Sequence, residues 1–257
     1  MSEDRTTSVD VLGLKSYGDA VNTAVKGTVE GAGAFLSRIC LPVAEELGLL
    51  FRDRVSHWRA VQAAKITEKA ERKLHDVSGA ESWHAHPRVV GRVVETGSWV
   101  DEDDVQEMWA GLLASACTPD GKDEANIMFI EMLSQLTASE ALIFRYACEA
   151  AQKSVTELGT VTCDNVHVTL KQLIEATGIE EVLRLDRELD HLRNIGLLNL
   201  MSGLSLTPRV DGTGPFGDVT PSDLGIQMYV RCQGSRLTPA EYFGLTDTIE
   251  NDVMKRK

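Results

Sequence analysis

The stretch DDVQEMWAGLLASA, residues 103–116, constrains the fold more than any other part of the sequence. Its apolar residues recur every three or four positions, as on one face of an amphipathic helix. They are Val105, Met108, Trp109, Leu112, Leu113 and Ala116. The acids at 101–104 stand just before this face, where carboxylates favour a helix start because they meet unpaired N–H groups and the positive dipole end. Adjacent carboxylates on a helix diverge, so we expect no metal site here. The pattern predicts a helix in which Trp109, Leu112 and Leu113 are structural residues.

Composition narrows the class of protein and its partners. At 257 residues the chain is long enough for two domains. Its net charge is −13, which makes the whole molecule a poor candidate for nonspecific binding of nucleic acid. Five scattered cysteines without a CxxC pair indicate reduced thiols, and the polar start MSEDRTTSVD is unlike a signal peptide. We therefore expect a cytoplasmic protein without a metal ion or other cofactor.

A long basic helix is predicted in the first half of the chain. Residues 8–40 are rich in Gly and Ala and favour close helix packing, with a surface-seeking amphipathic helix as the alternative. Pro42 suits the first position of a helix that would continue to Leu74, roughly 50 Å in length. Trp58 lies on its apolar face and is expected to be structural. Between residues 52 and 73, seven cations stand against three acids.

These cations are the candidate residues for binding a partner: Arg52, Arg54, Arg59, Lys65, Lys69, Arg72 and Lys73. Two interpretations are open, a solvated helix face or a docking ridge for an anionic surface. Arg52, Arg59 and Lys73 lie near one side of the helix by 3.6-residue counting. They are the subset expected to act together in binding a partner.

The second half has the order of elements of a winged-helix-like module. Thr137 with Glu140 has the form of a capping box at the start of one helix. Two further helices are predicted to end at Gly178 and Gly196. A hairpin is then predicted, formed by LLNLM, a Ser202–Gly203 turn and LSLTPRV. A last helix follows, with Thr220 as N-cap and Pro221 in first position.

The third helix of this module would be the one that reads DNA, and its charge opposes that role. Residues 180–193 carry five acids and three arginines. A helix in the major groove needs cationic or amide side chains that face the bases. The sequence therefore favours a structural or protein-binding module.

Motifs for catalysis or cofactor binding are weak. GTGPFG, residues 212–217, matches GxGxxG but lacks the βαβ context of a dinucleotide site, so a flexible wing loop is predicted. His84 and His86 form an HxH pair in a predicted loop before a short helix, without further residues at a recognised zinc spacing. A hydrolase or nuclease whose site assembles from scattered residues stays open as an alternative.

Three stretches carry a resemblance to a known family: EELGLLFRDRVSHWR, DDVQEMWAGLLASA and LTASEALIF. Over roughly residues 40–235 the chain resembles the Abi-alpha family of bacterial abortive-infection-type proteins. Gly111 stands where the family often has Asn. The resemblance implies a context, defence against phage, and brings no catalytic residues with it.

Together these observations predict a mainly α protein. An N-terminal helical region (1–134) with one long helix precedes a winged-helix-like α+β module (135–235) and a C-terminal tail or short helix (236–257). The expected function is phage defence by binding a protein or an anionic membrane surface, the latter at the inner face of the membrane, with self-association also open. The alternatives are a nucleic-acid-binding regulator and the hydrolase or nuclease.

Overall fold

A computed structural model describes residues 23–40, 57–205 and 216–246, with the backbone alone for residues 23–30 and 57. The chain divides into two compact units. Unit 1 comprises residues 1–134 and 232–234, and unit 2 comprises residues 135–231 and 235–257. Helices predominate, and two small antiparallel sheets accompany them. The predicted mainly α character is confirmed.

Unit 1 is helical in its described part. Its helices are α1 (Thr23–Ile39), α2 (His57–His75), α3 (Pro87–Gly97), α4 (Asp103–Ser115) and α5 (Ile127–Ser134), with a short 3-10 helix at Ala80–Ser82. Helix α2 packs against both α1 and α4. Small buried residues on α2, such as Ala60, Ala63 and Ala70, allow this close approach. The predicted part of this helix from Pro42 to residue 56 lies outside the described residues.

Helix α4 begins at Asp103, as predicted, but it is enclosed more completely than an amphipathic helix. Trp109, Leu112 and Leu113 are each at most 1% exposed. From residue 105 to residue 115 every side chain except Glu107 is buried. Buried Gln106 donates a hydrogen bond to Gln62 Oε1 over 2.9 Å, which compensates part of the loss of water around both amides. The polar side chain of Gln106 thus faces α2 and not solvent.

The histidine pair belongs to the start of α3. His84 forms an isolated β-bridge with Thr118. His86 is the N-cap of α3, and its Nδ1 accepts a hydrogen bond from the Arg88 N–H over 3.3 Å, with Pro87 in first helical position. The predicted loop leading into a short helix is confirmed.

Unit 2 combines short helices with the strands. Its helices are α6 (Ala138–Ala150), α7 (Leu170–Thr177), α8 (Val182–Asn194), α9 (Asp223–Cys232) and α10 (Pro239–Tyr242). Strands β1 (Lys153–Val155) and β2 (Val161–Cys163) form a hairpin. Strands β3 (His167–Thr169), β4 (Gly203–Ser205) and β5 (Phe216–Asp218) form an antiparallel sheet in the order β3-β5-β4. Helix α6 packs on α7 and α8, and α8 packs on β4.

Local signals set the ends of three helices as predicted. The capping box of Thr137 and Glu140 opens α6, since each side chain bonds the backbone N–H of the other residue. Gly178 ends α7 with φ of 69°, and Gly196 follows α8 with φ of 82°. Both angles lie in the left-handed region that glycine tolerates.

The predicted hairpin is wrong in its first strand and its turn. Residues 199–202 form a turn instead, in which the Ser202 N–H donates to the Asn199 carbonyl. Gly203 begins β4, and its partner is β5, beyond residues 206–215, which lie outside the described residues. Leu200 and Met201 are 87% and 89% exposed, so this apolar run covers no sheet. Hydrophobicity predicted a strand where the chain turns.

Two other details differ from prediction. Strands β1, β2, β3 and β5 were not anticipated, and Phe216 and Gly217 of β5 were predicted to lie in a flexible wing loop. The last helix is capped by Ser222, whose Oγ accepts from the Gly225 N–H over 2.9 Å, and not by Thr220. Thr220 Oγ1 instead donates a hydrogen bond to Oδ1 of Asp218, the last residue of β5. This threonine thus belongs to the end of the strand and not to the start of the helix. Pro221 forms a bridge with Leu198 before the helix starts.

The glycine-rich segment ends inside the sheet. Phe216 and Gly217 are part of β5, whereas residues 212–215 lie outside the described residues. A Cβ on Gly217 would stand 2.9 Å from Leu173 Cδ1. Close packing of α7 on the sheet therefore accounts for this glycine.

Candidate functional site

The basic residues of α2 are turned largely into unit 1. Arg59 is 5% exposed. Its guanidinium donates to Ser98 Oγ over 3.1 and 2.9 Å and to the Glu95 carbonyl over 2.8 Å. Burial lowers the pKa of Arg59, and the nearby charge of Glu95 opposes this shift. This arginine holds together the end of α3 and the loop that follows it.

Lys69 is also buried, with 6% of its surface exposed. Its Nζ lies 2.7 Å from Asp103 Oδ1 and 2.9 Å from Glu107 Oε1. Burial by itself lowers the pKa of Lys69, but the hydrogen bonds that its ammonium donates to both carboxylates outweigh this effect, and the pKa is raised. The ammonium group therefore remains charged inside the α2–α4 contact.

Glu107 is the centre of this ion-pair cluster. Lys73 Nζ approaches its Oε2 to 2.8 Å, and Arg72 lies 3.8 Å from Oε1. Burial raises the pKa of Glu107, whereas hydrogen bonds from Lys73 and Lys69 lower it, and the net shift is downward. One carboxylate of α4 thus lies within 4 Å of three cations of α2.

The docking ridge on α2 stays a prediction, but two of its seven candidate residues are buried. Arg59 and Lys69 are not accessible to a partner, and Lys73 is 21% exposed and paired. Lys65 and Arg72 remain on the surface. Arg52 and Arg54 lie outside the described residues.

The sequence does contain a signal for this pairing. Lys69 and Lys73 are four residues apart on α2, and Asp103 and Glu107 are four residues apart on α4. Residues at this spacing share a helix face. Two packed helices that carry such pairs can form ion pairs between the cations of one and the acids of the other. That α2 and α4 pack in this way is shown only by the tertiary structure.

An exposed aromatic pair lies above Arg59. Trp58 is 41% exposed and Trp99 is 64% exposed, with ring centroids 6.5 Å apart at an angle of 47°. The Arg59 guanidinium lies 4.2 Å from the Trp99 ring centroid, a cation–π contact. Trp58 was expected to be a structural residue of an apolar face, but a large part of its ring is open to solvent. Trp99 was not identified from the sequence at all.

Helix α8 of unit 2 pairs most of its own charges. Arg184 lies 3.0 Å from Glu188, and Arg193 lies 2.6 Å from Asp190. Glu188 is 5% exposed, and burial raises its pKa in spite of the Arg184 hydrogen bond. On the side away from the core, Leu183 is 73% exposed.

A shallow groove of about 320 Å³ lies between α6, β3 and α7. Its walls are mainly apolar, with Ile143, Tyr146 and Leu173 among them. Two polar side chains of α7 also line it: Gln172 is engaged in the capping box of Thr169, and Glu175 lies 3.6 Å from Lys171. The groove thus offers few polar groups to orient a ligand.

Thiol chemistry is disfavoured at three described cysteines, of which Cys40 and Cys232 are buried and Cys163 is half-buried. Burial raises the pKa of the Cys40 and Cys163 thiols to about 11, and that of Cys232 is raised further. The thiolate is the nucleophilic form, so a raised pKa opposes its formation at neutral pH. In the described residues no cluster of three or more His, Cys, Asp or Glu side chains has the arrangement to hold a metal ion. No described helix is both long enough and apolar enough to cross a membrane.

Comparison with known proteins places the chain in a family. The profile of the abortive infection alpha family matches residues 59–210, which is more than half of the sequence. The chain belongs to the abortive infection alpha family. No curated protein and no solved structure matches it. The matched region includes α2 from Arg59 onward, all of α4 and α8, and hence the ion-pair cluster. Of the aromatic pair it includes Trp99, whereas Trp58 lies one residue before it.

Proposed function

We propose that this chain is a phage-defence protein of the abortive-infection type that acts by binding a protein partner and not by catalysis. Membership of the abortive infection alpha family supports the defence context. The binding mechanism is supported by surfaces that expose apolar side chains, at Trp58 and Trp99 in unit 1 and at Leu183 in unit 2. Contiguous exposed apolar surface, such as the two neighbouring tryptophan rings form, commonly marks an interaction site.

The pairing of the α2 cations is the observation that favours a protein over an anionic partner. An anionic membrane or a nucleic acid is bound by accessible Lys and Arg side chains. Here Arg59 and Lys69 are buried, and Lys73 is held by Glu107. On a chain of net charge −13, this leaves little cationic surface on α2 for a phosphate-bearing partner.

We further propose that the core of unit 2 is a winged-helix-like module. The chain order α6, β3, α7, α8, β4, β5 and the sheet order β3-β5-β4 support this assignment. In this assignment α8 takes the position of the recognition helix. Arg184 and Arg193 of α8 pair with acids of the same helix, so they are poorly placed to contact phosphates or bases. The module is therefore proposed to bind protein through the α8 face that carries Leu183.

The strand order is also the observation that favours a second function, a nucleic-acid-binding regulator. A regulator would form a sequence-specific complex of about 10⁻⁸ M or tighter at physiological salt. Mobility-shift titration of the full chain against a pool of random duplexes tests this. If such a complex is found, α8 binds DNA sequence-specifically, and the proposal that it binds protein is rejected.

The proposed function is tested in a bacterial host that expresses the full chain and is challenged with a panel of phages. We expect reduced plaque numbers with the parent chain. Leu183→Ser should restore plaques, because it removes the apolar contact on α8, whereas Leu158→Ser should not. Leu158 is a matched control, since it is 93% exposed in the turn between β1 and β2. Thermal unfolding should be unchanged in both variants.

Two outcomes would contradict the proposal. A parent chain that is expressed but protects against no phage of the panel would remove the defence function. Protection accompanied by metal-dependent degradation of RNA or DNA by the purified chain would support a nuclease and remove the noncatalytic mechanism.

A further inference from the structure

We propose that Trp58 and Trp99 form the docking site for a basic segment of a protein partner, one in which Lys or Arg residues alternate with apolar ones. The inference rests on the proposed function, which requires a protein partner. It adds which surface of this chain binds the partner and which chemistry the partner has there. The exposed parts of the two tryptophans form the aromatic site.

The aromatic site combines large apolar area with fixed geometry. Two indoles that are 41% and 64% exposed stand 6.5 Å apart, between centroids. Tryptophan is enriched among the residues that dominate binding energy, because it buries a large area at a small cost in side-chain entropy. Solvation of two neighbouring indoles is unfavourable in the free protein, so covering them stabilises a complex.

Arg59 holds the aromatic site in place from below. Its guanidinium bonds the Ser98 side chain and the Glu95 carbonyl and lies 4.2 Å from the Trp99 ring centroid. The Trp99 N–H donates to the Thr96 carbonyl over 3.2 Å, which fixes the backbone at the ring. A partner therefore meets an ordered surface and loses little energy in ordering it.

The charge around the aromatic site selects the partner. Asp101 and Glu102 follow Trp99 by two and three residues, and both are exposed. Glu95, four residues before Trp99, is exposed as well. Arg59 is the cation that the described residues place at the rings, and it is buried beneath Trp99. The exposed charges described next to Trp99 are therefore acidic, and they attract a cationic segment and repel phosphate groups of lipid or nucleic acid.

The test measures binding of three probes to the full chain by isothermal titration calorimetry. They are an amphipathic peptide of Lys and Leu, its counterpart of Glu and Leu, and vesicles of phosphatidylglycerol. We expect binding of the Lys–Leu peptide, weakened by salt because the contact is in part electrostatic, and no binding of the other two probes. Equal binding of the Glu–Leu peptide, or binding of vesicles that requires the tryptophans, would overturn the proposal.

Variants separate the aromatic site from the general attraction of a basic peptide to an acidic protein. The double variant Trp58→Ala with Trp99→Ala should bind the Lys–Leu peptide about 30-fold or more weakly, the usual loss at a dominant contact. Met128→Ala, which removes a 49% exposed apolar side chain elsewhere in unit 1, should leave the affinity unchanged. Equal affinity of the double variant and the parent would show unspecific attraction and refute the site.

A second pair of variants tests the charge without touching the rings. Asp101→Asn with Glu102→Gln should lower the affinity about 3- to 10-fold, mainly through slower association. Glu68→Gln with Glu71→Gln removes the same charge from the surface of α2, more than one turn away, and should have a smaller effect. Equal effects of the two pairs would refute local charge selection. Because these side chains are exposed, all four substitutions should preserve the fold.

Phage protection then distinguishes the two proposals. If the tryptophan variant loses the peptide but still protects, the aromatic site exists and is not the surface used in defence. If the parent protects and does not bind the peptide, the inference fails while the proposed function stands.

Discussion

Replacement of Gly111 by alanine tests how tightly α4 is enclosed. A methyl group at this position would lie 1.6 Å from the carbonyl oxygen of Cys232, whereas ordinary contacts begin at 3.4 Å. The two backbone segments, both in unit 1, would have to separate by about 1.8 Å. Because the obstacle is backbone and not the end of a flexible side chain, rotamer changes cannot relieve the clash.

The expected magnitude follows from two opposing terms. Overpacking typically costs about 1–3 kcal/mol and occasionally more. Alanine in a helix interior returns up to about 1 kcal/mol relative to glycine. For a rigid backbone obstacle we expect Gly111→Ala to lose about 2 kcal/mol of unfolding free energy. In a chain of this size that corresponds to a decrease in Tm of about 4–8 °C.

The assay is urea and thermal unfolding, followed by circular dichroism and tryptophan fluorescence. Gly33→Ala on α1 is the matched control, because nothing in the described chain lies within 4 Å of its added methyl group. This variant should gain up to about 1 kcal/mol through helix propensity alone. A Gly111→Ala protein as stable as the parent would refute the close approach of the Cys232 backbone to α4.

Two further predictions concern the buried charges. Lys69→Met should lose about 1–2 kcal/mol of unfolding free energy, less than the loss of a fully buried pair, because Asp103 is exposed and can be rehydrated. Arg72→Gln, at a 64% exposed side chain, should lose at most about 0.5 kcal/mol. Equal losses of the two variants in urea unfolding would contradict the difference in burial. Burial raises the pKa of Glu188 from 4.5, so its ionisation costs stability that is present below this pH and is lost as the pH rises through the folded-state pKa. Glu188→Gln should therefore have the same Tm as the parent at pH 7 or a higher one. A variant that is less stable than the parent at pH 7, but not at acidic pH, would show that ionised Glu188 stabilises the fold and would contradict this prediction.

Local features of the sequence were sufficient for four helix ends. The capping box of Thr137, Gly178 after α7 and Gly196 after α8 act through hydrogen bonds and backbone angles within a few residues. These interactions depend on no distant partner, so a pattern in one segment predicts them. The start of α4 at Asp103 was predicted for the same reason.

Strand pairing and surface exposure were not predictable in this way. The partner of β4 is β5, and that of β5 is β3, which lies before α7 in the chain. Apolar run length predicted a strand at residues 197–201, where Leu200 and Met201 are exposed in a turn. A strand of three residues carries too short a pattern to identify its neighbour.

The sequence by itself thus determined the mainly α class, the chain's acidic character and the helix ends that depend on neighbouring residues. Only the tertiary structure decided which charges of α2 face inward and which tryptophans face outward. Lysine is usually exposed, but Lys69 is buried because the acids of α4 stabilise its charge when the helices pack. Trp99 is a core residue by size, but Arg59 and the bonded loop hold its ring at the surface. Both outcomes depend on contacts between segments some forty residues apart, which helical periodicity within one segment does not encode.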